Sequence, residues 1–152
     1  MKHSRHSALQ PLSHEHETTL LLCNRIRVGL SHEVEPERIL RYSRWFWRNH
    51  IEPHFELEKR CLFPLLGLNN VRVKKALANH RRLSRLFSQD KDLERSLNRI
   101  EEELGTYIRF EERILYNEIQ KMANPEDLAR IRACHHSPSI SDGEWLDQFW
   151  KN

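Results

Sequence analysis

Residues 90–121, DKDLERSLNRIEEELGTYIRFEERILYNEIQK, decide the fold. Leu93, Leu97, Ile100, Leu104, Ile108, Leu115 and Ile119 recur at spacings of three, four and seven. That is the period of one helical face, and it persists for several turns. Asp90 is the expected N-cap, and the helix should run to about Lys121. Nothing in the stretch alternates with the period of two that a strand needs.

Working outward, three more segments show the same habit. One spans about Leu12 to Leu30, with Ser13 as the expected N-cap and Glu15 and Glu17 near the positive end of the helix dipole. Its apolar side is read from Leu20, Leu21, Ile26 and Leu30. Another begins at Pro36, a favoured first-turn residue, and reaches about Phe63. Pro53 should kink or split it, and Pro64 should end it. The third covers about Asn70 to Ser88, with Val73, Leu77, Leu83 and Leu86 as its apolar positions. Asn124 and Pro125 form a cap and first residue for a short fifth helix ending near Cys134. Helical pattern ends after Ser137, and the tail holds Trp145, Phe149 and Trp150, expected to dock on the body rather than stay exposed. The expected architecture is all-α: an antiparallel up-down four-helix bundle over 1–137, including the short fifth helix, then an aromatic tail over 138–152.

Bulk properties agree with that architecture. The chain has 152 residues, one domain's worth, with 38% hydrophobic and 31% charged residues. Only 4 glycines argues against a turn-rich β fold. The net charge of +3 comes from interleaved signs, which argues against a nucleic-acid footprint. No apolar run approaches the roughly 18 residues of a membrane span. The N-terminal segment has no apolar signal-peptide core. Cys23, Cys61 and Cys134 are odd in number and widely spaced, so neither a disulfide framework nor a zinc CxxC is expected. They read as ordinary thiols in a reducing cytosol.

Histidine is abundant, at 10 residues, and position decides what that means. Residues 54–63, HFELEKRCLF, and 107–116, YIRFEERILY, resemble each other. Glu58 matches Glu111, Arg60 matches Arg113, Leu62 matches Leu115, and Phe63 matches Tyr116, as in a weak internal duplication. A spacing of four stacks His54 over Glu58 and Tyr107 over Glu111. His16 lies four after Leu12, and His80 lies four after Ala76, so both fall in apolar stripes. A single His-x-x-x-Glu pair is more often a solvent-facing hydrogen-bonded pair. Polar groups on four inward faces are different, because buried carboxylates are expensive without a cation.

The segments LSHEH, HFELEKRCLFP, NHRRL and YIRFEERILY together resemble the hemerythrin-like, or HHE cation-binding, family over roughly residues 10–120. The resemblance implies a metal centre, with iron as the expected metal in a mono- or dinuclear site and Zn or Mn as other candidates. Its implied ligands are His16, His54, Glu58, His80 and Glu111. The family's usual fourth-helix histidine falls on Tyr107, a ligand or a hydrogen-bond donor to one. A further third-helix histidine of oxygen carriers falls on Ser84. His50, one turn before His54, is a structural histidine or a weaker outer partner. The implied activity is binding, sensing or storage of O2, NO or iron. Two alternatives are a di-iron enzyme acting on peroxide, nitric oxide or iron-sulfur clusters, and a metal-free helical adaptor. No catalytic residue is assigned, and the oligomeric state stays open.

Other positions carry plainer expectations. His14 should face solvent, as should His3, His6, His32, His135 and His136 near termini or loops. Glu56 and Glu112 should turn away from the ligands or meet outer partners. Trp45, Phe46 and Trp47 read as packing.

Overall fold

The computed structural model describes residues 5–135 and 140–151. His136 and part of the tail lie outside them, as do Met1–Ser4 with His3. The chain is all-α, with five helices packed against one another and no strand among the described residues. α1 is Gln10–Ser31. α2 is a continuous rod over 36–66, and α3 is Val71–Phe87. α4 is a second rod over 93–122, and α5 is Pro125–Cys134. A short 3₁₀ turn, Asp142–Glu144, precedes the aromatic tail residues.

The short connections fold successive helices back on each other, and side-chain pairs give the directions. Ser13 meets Glu112, and further along α1 Arg27 meets Glu101, so α1 and α4 are antiparallel. Arg25 donates to Tyr42, while Glu15 lies against His54, so α1 and α2 are antiparallel too. Trp47 stacks on Phe87 and Phe63 lies by His80, which opposes α2 to α3. Asn70 pairs with Glu118 and Arg82 with Glu103, which opposes α3 to α4. The result is the up-down-up-down arrangement, with α2 and α4 parallel across the middle.

Local chemistry explains most boundaries. Asn70 caps α3 by accepting from the backbone of Arg72 and Val73. Asn124 and Asp127 form a reciprocal capping box at the start of α5, with Pro125 in the first turn. Gly67, at φ +89°, allows the sharp exit from α2. Other boundaries differ from expectation. α1 starts three residues before Ser13, at Gln10, and has no side-chain cap. α4 starts at Leu93 after Asp92 in a left-handed conformation, and Asp90 instead pairs with Arg44.

Neither proline breaks α2. The rod carries π turns at Trp47–Ile51 and Glu58–Leu62, and each proline lies in the first turn after one of them. The wider turn relieves the clash that a proline ring makes with a preceding carbonyl. Hence Pro53 gives no split, and Pro64 lies inside a helix that ends at Leu66.

The inner face of α1 is also corrected. Leu20 and Leu21 are 42% and 41% exposed. Leu12, His16, Thr19, Leu22, Cys23 and Ile26 point inward instead. The core continues through Phe46, Leu62, Phe63, Leu83, Leu97, Leu104 and Leu115. The tail packs on it: Phe149 is buried, and Trp145, Phe149 and Trp150 surround Tyr42. The Arg25 guanidinium lies 3.9 Å over the Trp150 ring.

The cysteines give the clearest correction. Cys61 and Cys134 form a disulfide that ties α2 to the last residue of α5, and Cys23 is a buried free thiol. The cysteine argument for a reducing compartment therefore lapses. Among the described residues, no helix is long and apolar enough to cross a membrane.

Candidate metal centre

The third π turn, Glu111–Leu115, lies in α4 and matches the one at Glu58–Leu62 in α2. Both open on a glutamate and both contain the Glu-x-Arg-x-Leu match between the two repeats. In each, the glutamate carbonyl accepts the backbone N–H five residues on, from Phe63 and from Tyr116. Such turns interrupt α-helices frequently at functional sites. Here they present Glu58 and Glu111 to each other from parallel rods at the bundle's middle.

Both carboxylates are 0% exposed. His16 from α1 and His54 from α2 join them, and one ligand atom of each of the four lies within 4.8 Å of the others. Nε2 of His16 is 3.0 Å from Oε1 of Glu111, and Nε2 of His54 is 3.5 Å from Oε2 of Glu58. Each imidazole is aimed by a carboxylate on its other nitrogen. Nδ1 of His16 meets Glu112 at 2.6 Å, and Nδ1 of His54 meets Glu15 at 2.7 Å. Carboxylate-oriented histidines of this kind are typical of metal ligands, because the outer bond fixes the ring and raises its basicity.

His80, from α3, completes the other side. Its Nε2 is 2.7 Å from the Tyr107 hydroxyl and 3.2 Å from Oε1 of Glu58. Its ring lies flat on Phe55, with centroids 3.7 Å apart. A cleft of about 310 Å³ opens onto this ring between α2 and α3, and Ser84 lines it. Thus Glu58 turns one oxygen to His54 and the other to His80.

The electrostatics set two facing buried carboxylates against each other, and only one of them is fully satisfied. Burial and the facing Glu58 push the Glu111 carboxyl up. Its Oε2 is buried and has no hydrogen-bond partner among the described residues. Burial also works to raise Glu58, but the His54 charge and hydrogen bonds outweigh it and hold that carboxyl well below the usual value. Burial disfavours charge on His54, yet Glu58, Glu111 and Glu15 raise it well above the ordinary value. His16 is raised by Glu111 and Glu112 against the same burial cost. Burial and both carboxylates push Tyr107 and Tyr116 well above the usual phenol range. An orphaned, fully buried carboxylate oxygen beside a second carboxylate is a position that a cation satisfies. The donor set, imidazole with carboxylate and phenol oxygen, suits borderline and hard divalent or trivalent metals.

All five residues expected from the sequence as ligands lie in this cluster, four in the tight group and His80 at its flank. Tyr107 lies between His80 and Glu58, with its hydroxyl 3.4 Å from Oε1 of Glu58. His50 stands outside, its Nε2 3.0 Å from the carbonyl of Glu15. His14 and Glu56 face solvent, and Glu112 serves as the outer partner of His16.

Sequence reasoning missed three residues. Glu15 reads as a helix-dipole residue but is buried between His54 and His135. His135 reads as solvated, yet its Nε2 lies 2.9 Å from Glu15. Tyr116 reads only as the counterpart of Phe63 in the repeat, yet its hydroxyl donates to Oε2 of Glu58 at 2.9 Å and lies 3.3 and 3.4 Å from Nε2 of His54 and His16. Its alignment with Phe63 was visible in the repeat, and only the π turn reveals that it points inward.

Compared with protein-family models, curated proteins and solved structures, the chain matches none.

Proposed function

We propose that this bundle is a hemerythrin-like, non-haem iron protein with a dinuclear centre that binds a small molecule such as O2, NO or peroxide. One observation carries the reading: Glu58 and Glu111, both wholly buried, face each other between two sets of donors. Oε2 of Glu58 faces His54 and Tyr116, while Oε1 faces His80 and Tyr107. A carboxylate divided in this way suits two neighbouring cations better than one. His16, His54, Glu58 and Glu111 would hold the first. His80, beside the Tyr107 hydroxyl, would join the carboxylates in holding the second.

Iron so held supplies reversible small-molecule binding and one-electron chemistry. The protein's own part is to aim and shield. Glu112 and Glu15 fix the histidine rings, and Phe55 covers one face of His80. The Tyr107 hydroxyl offers a hydrogen bond to Glu58, the Tyr116 oxygen would serve as a phenolate ligand of ferric iron, and the cleft beside Ser84 would give a small molecule a way in.

The second side has one imidazole, with tyrosine and serine at positions 107 and 84 where oxygen carriers use histidine. That supports sensing, iron handling or peroxide and nitric oxide chemistry over bulk oxygen carriage. Anaerobic loading with ferrous iron, followed by exposure to O2, NO or peroxide with and without an electron donor, separates binding from turnover. A chain that retains no iron would exclude all of these and leave a metal-free helical adaptor.

A further inference from the structure

The disulfide is joined to the candidate metal centre at both of its ends. Cys61 lies in the π turn Glu58–Leu62, three residues after the buried carboxylate that opens it. Cys134 ends α5 and is followed by His135. His135 holds Oε2 of Glu15 at 2.9 Å, and Oε1 of Glu15 holds Nδ1 of His54 at 2.7 Å. Covalent and hydrogen-bonded links thus run from Glu58 through Cys61, Cys134, His135 and Glu15 back to His54.

The bond is also reachable. Both cysteines are only half-buried and line an open cleft of about 270 Å³ between Arg60 and Arg130. α5 has few other ties to the body, for among its described residues Ile131 alone is buried and Leu128 packs partly on the core. A short helix with one buried apolar side chain belongs to the least stable part of a fold.

We propose that the Cys61–Cys134 disulfide is a reducible site, open to a dithiol, whose state sets how tightly the His/Glu cluster holds metal. The inference rests on the metal-centre reading above. A thiolate of the dithiol attacks one sulfur of the pair, breaking the S–S bond and forming a mixed disulfide. The second thiol of the dithiol then resolves it. Two electrons and two protons pass to Cys61 and Cys134, and the dithiol leaves as a disulfide. With the tie broken, the end of α5 is released and His135 leaves Glu15. Glu15 then orients His54 less firmly, and the π turn carrying Glu58 loses its anchor. Loss of such outer partners weakens metal binding by about 10- to 100-fold.

The test uses the full chain under anaerobic conditions. Ferrous affinity is measured by competition with a chromogenic chelator before and after phosphine reduction, and alkylation followed by mass measurement counts the thiols. A dithiol is tested for the same mass change. The expected result is two new thiols and a loss of affinity of about 10- to 100-fold. Cys61→Ser/Cys134→Ser should match the reduced protein and ignore the phosphine, while His135→Ala should lower affinity with the disulfide intact. Reduced wild-type protein serves if the double variant fails to fold. Equal, tight binding in oxidised and reduced chains would overturn the switch and leave the metal reading standing. A bond that resists a dithiol in the folded chain would overturn it too. Absence of ferrous binding in either state would remove the metal reading and the switch together.

Discussion

The Tyr116 hydroxyl donates to Oε2 of Glu58 at 2.9 Å, from a position five residues after Glu111. In an unbroken α-helix, residues four apart share a face and residues five apart do not. The π turn at Glu111–Leu115 inserts one residue and brings Tyr116 into phase with the carboxylate. Its hydroxyl then touches three of the four tight-cluster residues, whereas Tyr107 touches Glu58 and His80. In ferric-loaded protein, a visible phenolate-to-iron absorption should therefore disappear in Tyr116→Phe and persist in Tyr107→Phe. The opposite pattern would move the ligand role to Tyr107.

Stability of the metal-free protein should depend on pH with a definite sign. His16 and His54 are raised by their carboxylates, so the stability they add is complete below their ordinary value of 6.5 and is lost as pH climbs through the raised values. Glu58 and Glu15 are depressed, so their contribution is present above 4.5 and lost as pH falls through the lowered values. Glu111 is raised, so its contribution is lost above 4.5; the metal-free melting temperature should therefore rise up to about 4.5, and decline most above 6.5 where the histidines join it. Metal needs neutral imidazoles, so the stabilisation given by added metal should grow over the same alkaline range. Melting curves with and without metal across pH would contradict this if both fell together.

Glu111→Gln separates stability from function. Burial and Glu58 disfavour the ionised Glu111 carboxylate, and glutamine removes that penalty at nearly constant shape. The metal-free variant should gain stability at neutral pH, where the penalty on the ionised carboxylate is felt. Metal retention should fall sharply. A destabilised metal-free variant in a denaturant titration would show that Glu111 is satisfied without a cation.

The disulfide spans 73 residues, and closing a loop of that size restricts the unfolded chain by about 4 kcal/mol. Cys61→Ser should lower unfolding stability by a few kcal/mol under oxidising conditions and by much less in the presence of reductant. An equal loss in both conditions would point to packing rather than the cross-link.

Much of this was legible in the sequence where the signal is local. Asn70, Asn124 and Pro36 mark helix starts because caps and first-turn prolines act within a few residues. His16, His54, Glu58, His80 and Glu111 were legible because their spacing sets them on inward faces. What failed depends on distant partners. Leu20 and Leu21 outrank Glu15 in hydropathy, yet Glu15 is inside because His54 and His135 receive it there. The Cys61–Cys134 pairing depends on where α5 returns, which no spacing rule fixes. The tyrosine at 116 was hidden by a change of helical period that only the folded backbone expresses.

The most direct test is the metal content of the full chain after anaerobic ferrous loading and desalting, read beside Glu58→Ala. Close to two irons per chain are expected in the wild type and almost none in the variant, with the helical circular dichroism of both preserved. A wild-type chain that stays folded and keeps no metal would contradict the metal-centre reading.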